Sequence, residues 1–147
     1  MNETLRVAPP ATGETAEVKL SIMKDLRGTP DLLLSFVYCG DGWLFVNSVE
    51  FKVGTNVITL GCEKPRRDVF HTGHVFETKS WTADPRLPEE AAKVQAIIRA
   101  VAAGRCTLCA LRGSEGDARA VIDRDSIGRV ITAYFALGGQ PLTMKEP

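Results

Sequence analysis

Apolar and polar positions alternate through most of the first half of the chain. Val18, Leu20 and Ile22 alternate with Lys19, Ser21 and Met23, the period of a half-buried strand. Gly28-Thr29-Pro30-Asp31 breaks that strand. The next run, Asp31 to Cys39, carries Leu32, Leu34, Phe36 and Tyr38 on one face and Leu33, Val37 and Cys39 on the other. Apolar residues on both faces predict a strand buried on both sides. Gly40-Asp41-Gly42 is a turn. Trp43, Phe45, Val49, Phe51 and Val53 then alternate, with only Asn47 interrupting, and Gly54-Thr55-Asn56 turns the chain into Val57 to Cys62. Short connections between consecutive strands predict antiparallel pairing, because a parallel return needs a crossover of a dozen residues or more. A further hairpin is predicted from Arg67 to Lys79, turning at Thr72-Gly73.

The period changes after residue 85. Pro88-Glu89-Glu90 suits a helix start, with acids near the positive end of the dipole. Ala91, Val94, Ile97, Ile98 and Val101 form a helical stripe that stops at Gly104. Cys106 to Leu111 is an apolar strand, and Gly113-Ser114-Glu115-Gly116 turns it into Ala118 to Ile122. Asp125 or Ser126 can cap a last helix with the stripe Ile127, Val130, Ile131, Tyr134 and Leu137. The fold class is therefore α+β: a mainly antiparallel sheet or sandwich, with two amphipathic helices in the C-terminal half. Residues 1–16 read as an N-terminal arm, 17–138 as one domain and 139–147 as a tail, since the two ends lack any hydrophobic period.

Length and composition fit this picture. A chain of 147 residues buries enough surface to fold without staples. Its 18 basic residues balance 18 acidic ones. Broad attraction to nucleic acid or to an anionic membrane surface therefore has no support, and a nucleic-acid partner is not expected. No apolar run approaches the roughly 18 residues that span a bilayer, so no membrane insertion is expected. Met1 to Pro10 lacks an apolar signal region and carries Glu3. The expectation is a soluble cytoplasmic protein; a secreted form whose leader has been removed is the other reading.

Candidate chemistry is sparse. If Thr72-Gly73 is a two-residue turn, His71 and His74 face each other across the hairpin at a Cβ separation of about 4.5–5.5 Å. Two imidazoles at that distance can share a proton or a metal ion. The same register sets Asp68 opposite Glu77. A zinc site needs a third protein ligand, and the histidine face continues with Val69 and Phe76, so idle turn histidines are the simpler reading. Cys106 and Cys109 have a redox or zinc spacing, but on a strand residues three apart point to opposite faces. Buried structural thiols are expected there, and for most of the four cysteines. Lys64-Pro65-Arg66-Arg67 is a small basic cluster suited to an acidic group, and Trp81 is the expected exposed aromatic. No nucleophile elbow, phosphate loop or dinucleotide fingerprint is present, so no cofactor is expected.

Phe36-Val37-Tyr38 leading into Trp43-Leu44-Phe45-Val46-Asn47-Ser48, followed later by Cys109-Ala110-Leu111-Arg112-Gly113, a short strand and a helix, resembles small bacterial β-rich domains of uncharacterised activity. The resemblance spans about residues 18–137. It implies an architecture and brings no activity.

The sequence thus points first to a non-enzymatic binding module with a protein partner. Its working surface would be Arg66, Arg67, His71, His74 and Trp81. On that reading, replacing Arg66, Arg67 and Trp81 together leaves the melting temperature nearly unchanged while weakening partner capture. A metal-binding domain or metal-dependent enzyme using His71 and His74 is the competing reading. A structural subunit of a phage or secretion assembly is the third.

Overall fold

The computed structural model describes residues 14–140. Eight strands and two helices follow one another as β1 (Thr15–Lys24), β2 (Pro30–Gly40), β3 (Val46–Val53), β4 (Asn56–Gly61), β5 (Arg66–Val69), β6 (Val75–Thr82), α1 (Pro88–Ala102), β7 (Leu108–Gly113), β8 (Asp117–Ile122) and α2 (Arg124–Ala136). The stretch read as an N-terminal arm lies largely outside the described residues, but β1 already begins at Thr15 and Ala16 is buried. Residues 141–147 of the expected tail also lie outside them.

The strands form one curled, mixed sheet in the order β4-β3-β7-β8-β1-β2-β6-β5. It is built from two fully antiparallel halves, β4-β3-β7-β8 and β1-β2-β6-β5. They join through a short parallel contact, Glu17 beside Val121 and Val18 beside Ile122. Every other neighbouring pair is antiparallel, so the sheet is mixed rather than the antiparallel sheet or sandwich expected. Nearly the whole chain separates β1 from β8, which is ample length for a parallel return.

Alternation sorts the strand residues into an inner and an outer face. Val18 and Leu20 of β1, Leu32, Leu34, Phe36 and Tyr38 of β2, and Val49 and Phe51 of β3 are all buried on the inner face. Fully burying one such side chain contributes about 1.5–3 kcal/mol. The helices supply the second layer. α1 lies against β3, β4 and β6, and α2 against β1 and β2. α1 buries Ala91, Val94, Ile97, Ile98 and Val101, the stripe expected from its period. α2 buries only Ile127 and Tyr134, and Leu137 lies beyond the helix, exposed. Its cap is Asp123, two residues earlier than the first of the two expected caps, accepting from the backbone N–H of Asp125 and Ser126 at 3.1 Å.

Two strand readings need correction. Among the described residues no helix packs on the outer face of β2, and Leu33, Val37 and Cys39 are only partly covered there. And β3 does not pair with β2, although the two are consecutive. The hairpin β7–β8 enters between β3 and β1 instead. Trp43 and Phe45 precede β3, Phe45 has φ +53°, and the β3–β7 register slips between Val46 and Ser48. The parity break leaves Trp43 and Phe45 only partly buried, Trp43 packed against the margin of the core, while Val49 and Phe51 are fully buried.

Candidate functional site

The curl of the sheet is fastened along the inner face of β6. Every second side chain of that strand grips backbone from the base of the β3–β4 hairpin. Glu77 is 0% exposed and accepts from the N–H groups of Leu44 at 2.8 Å, Phe45 at 3.1 Å and Val46 at 2.8 Å. Lys79 donates from Nζ to the carbonyl of Glu63 at 2.8 Å. Trp81 donates from Nε1 to the carbonyl of Gly61 at 3.0 Å. The chemistry matches the partners: a carboxylate takes N–H groups, and an ammonium and an indole N–H take carbonyls. A cleft of about 400 Å³ runs beside this seam, bounded by Lys79, Trp81 and the first turn of α1.

Glu77 holds the segment before β3 in its turned path, and that path displays an aromatic column. Trp43 stacks on Phe45 with ring centroids 5.6 Å apart. The Arg67 guanidinium lies over the other aromatic neighbour of that stack, 5.1 Å from the Phe45 centroid, and its Nε reaches Glu77 Oε1 at 3.4 Å. The β7–β8 turn closes on the same segment, with Ser114 N–H donating to Phe45 and Glu115 N–H to Leu44. A Cβ at Gly113 would collide with the Leu44 carbonyl, so only glycine allows this approach.

The β5–β6 hairpin forms as expected, but its register differs by one residue. Val69 pairs with Val75 and Arg67 with Glu77. The loop is His71-Thr72-Gly73, closed by Phe70 N–H to the His74 carbonyl and by Gly73 N–H to the Phe70 carbonyl. Gly73 has φ +90°, the left-handed residue that a three-residue hairpin loop requires. Asp68 therefore faces Phe76 rather than Glu77. His71 lies in the loop and His74 directly before β6, where it pairs with Phe70, so the opposed imidazole pair is not formed. His74 instead bridges two groups: Nε2 sits 3.1 Å from Asp41 Oδ1, and Nδ1 sits 2.9 Å from Thr72 Oγ1. Among the described residues no group of three or more His, Cys, Asp or Glu side chains could hold a metal ion.

The basic cluster divides between the two faces of β5. Arg67 reaches inward to Phe45, and Arg66 pairs with Asp68 at 2.7 Å on the other face. The structure brings Arg66, Arg67, His71 and His74 to one end of the molecule. Trp81 does not join them as an exposed aromatic. It is 3% exposed, and it tilts against Phe36 with centroids 6.1 Å apart. Its place in the alternation with Val75 and Glu77 is the reason, because those positions share the inner face. The exposed apolar residues at this end are Val69, 62% exposed, and Phe70, 44% exposed and packed on Phe76. The sequence assigned Trp43 and Phe45 to a core strand and Glu77 to a pair with Asp68, and left Phe70 without a role. The Trp-x-Phe spacing directly after Gly40-Asp41-Gly42 was the available signal for the column, and an inward-facing carboxylate in β6 was the signal for the clasp.

The cysteines are all free. Burial pushes the Cys62 and Cys106 thiols up to about 11 and the Cys109 thiol well above its ordinary value. They stay protonated at neutral pH, as buried thiols rather than reactive thiolates.

A second cleft, about 460 Å³, opens at the opposite end between the β1–β2 turn, the loop after β6 and α2. Asp84 is held below the usual carboxylate range by its hydrogen bonds with Arg86. Asp31 is shifted upward, by burial first and then by the neighbouring Asp84 charge. A raised folded-state value means that ionised Asp31 weakens the fold at neutral pH, and that the effect vanishes as pH falls toward 3.8. Asp31→Asn is therefore expected to raise the melting temperature at pH 7 by about 2 °C. The gain should shrink as the pH is lowered in a thermal-melt series. A gain that persists at low pH would show that charge is not its source.

Comparison with known proteins finds no family model that matches the chain, and no match among curated proteins or solved structures. No helix among the described residues is long and apolar enough to cross a membrane.

Proposed function

We propose that this domain is a protein-binding module whose working surface is the end formed by residues 41–45 and the β5–β6 hairpin. The observation that carries this reading is the Trp43–Phe45–Arg67 column. Trp and Arg are the residue types that dominate binding energy at interfaces. Here Trp43 is partly exposed, packed on the core, and directly precedes backbone fixed by the buried Glu77 carboxylate, while Arg67 reaches over from β5. A pre-ordered surface loses less conformational freedom on binding. Val69 and Phe70 extend it with apolar area, and Arg66 and His74 with polar groups at the margin. Four free thiols suit a reducing compartment, and we place the domain in the cytoplasm on that ground.

The test is a site-directed photocrosslink. A photoreactive phenylalanine analogue at Val69 is expected to give discrete adducts with a protein in an extract of the source cells. Trp43→Ala in the same chain should abolish them, and the analogue at Leu137, remote in the fold, should give none. Identical adducts from both positions, or no adduct at Val69, would refute the assignment of this end as the working surface.

A further inference from the structure

The sheet has two edges, and the fold treats them differently. β4 forms one edge, and α1 lies beside it, with Lys93 Nζ donating to the Thr59 carbonyl at 3.0 Å. β5 forms the other edge, and among the described residues it is hydrogen-bonded to β6 alone in the sheet. The bond from Phe70 N–H to the His74 carbonyl marks Phe70/His74 as a hydrogen-bonded pair. Antiparallel pairs alternate, so Asp68/Phe76 and Arg66/Thr78 are the next such pairs. It follows that the backbone N–H and C=O groups of Arg67 and Val69 point away from β6, along the open edge.

The edge is also graded along its length. Its N-terminal part carries Lys64, Arg66 and Arg67, and its C-terminal part carries the exposed Val69 and Phe70. We infer that β5 accepts an extended segment of a protein partner as an added antiparallel strand, apolar opposite Val69–Phe70 and acidic opposite Arg67–Lys64. Main-chain bonds to Arg67 and Val69 would supply affinity, and the charge gradient would set direction and choice of sequence. A second copy of this chain is a poorer occupant. The antiparallel register that uses both outward-facing residues sets Asp68 against Asp68, and the register centred on Arg67 sets arginine against arginine; like charges directly opposed destabilise a pair. The register centred on Val69 opposes no like charges but sets Arg67 against His71 of the loop, so it leaves Val69 as the outward-facing residue paired in each strand. The inference rests on the reading of this end as the working surface and adds the mode and chemistry of binding.

The probe is a fluorescein-labelled peptide, Val-Val-Thr-Glu-Thr-Glu, titrated with the full chain and followed by anisotropy. Saturable binding is expected. The same peptide with lysine in place of glutamate should bind at least about tenfold more weakly, a loss appropriate to one or two charge-assisted contacts. Val69→Pro removes the outward N–H of Val69 along with its side chain, and should weaken binding about tenfold relative to Val69→Ala, which loses the side chain alone. If that variant fails to fold, a peptide N-methylated at alternate residues tests the same main-chain bonds on the native chain. Equal binding by the acidic and lysine peptides overturns the charge assignment. Equal binding by Val69→Pro and by the N-methylated peptide overturns strand addition. No binding together with a dimer by light scattering that Val69→Pro disperses would assign the edge to a second copy instead. Trp43-dependent photocrosslinks together with peptide binding that Val69→Pro and N-methylation leave unchanged would leave the surface standing and remove only this mode.

Discussion

Replacing Glu77 with alanine is expected to lower the unfolding free energy by about 3–5 kcal/mol, the largest effect of any single change to the seam. The cause is the set of groups it would strand. Three consecutive backbone N–H groups, those of Leu44, Phe45 and Val46, donate to this one carboxylate. No water-exposed route remains for them while the fold is intact, because Glu77 is wholly buried. Arg67 would lose its ionic partner as well. Total stabilities of small domains are about 5–15 kcal/mol, so the variant should approach the limit of folding. Glu77→Gln keeps one acceptor but turns an amide N–H₂ toward backbone donors, and should cost about 2 kcal/mol. Urea unfolding measures both. A loss below about 1 kcal/mol for Glu77→Ala would mean that the segment before β3 holds its path without the clasp.

Trp81→Ala should destabilise the fold nearly as much, by about 3–5 kcal/mol, through the cavity left beside Phe36 and the lost bond to the Gly61 carbonyl. Trp81→Phe keeps most of the packing and should lose about 1 kcal/mol with the indole N–H. Arg66→Ala, at an exposed ion pair, should change stability by no more than about 0.5 kcal/mol. A triple replacement of Arg66, Arg67 and Trp81 is consequently expected to melt early, with Trp81 responsible. Thermal melts of the three single variants would decide this. An unchanged melting temperature for Trp81→Ala would contradict its placement in the core.

The aromatic column shows why the site was only half legible in the sequence. Trp43 and Phe45 fall in step with Val49 and Phe51, so alternation alone assigns all four to one face. One left-handed residue and one register slip separate them. Neither leaves a mark in the pattern, since Phe45 is not a residue that ordinarily adopts positive φ. The histidine pair failed for a similar reason. Thr72-Gly73 suits a two-residue turn, yet Gly73 is equally suited to the left-handed position of a three-residue loop. The choice between them shifts every facing pair in the hairpin by one. The basic cluster reads as a break before a hairpin that starts at Arg67, whereas β5 already takes in Arg66 and, as successive strand residues must, sends the two arginines to opposite faces.

The sequence by itself determined the order of the elements, which segments extend and which coil, and the inward face of most of them, with ends displaced by a few residues at β3 and α2. These follow from interactions within a few residues, namely the two periods, the proline and acids that open α1, and the glycines that break strands. Tertiary structure alone decided the strand order, the late insertion of β7–β8 beside β3, the burial of Trp81 and the clasp at Glu77. Each of these joins groups far apart in the chain, as Glu77 does with Leu44 across 33 positions. Free energy at such separations depends on which surfaces meet and which backbone groups are left needing partners, and local pattern carries neither.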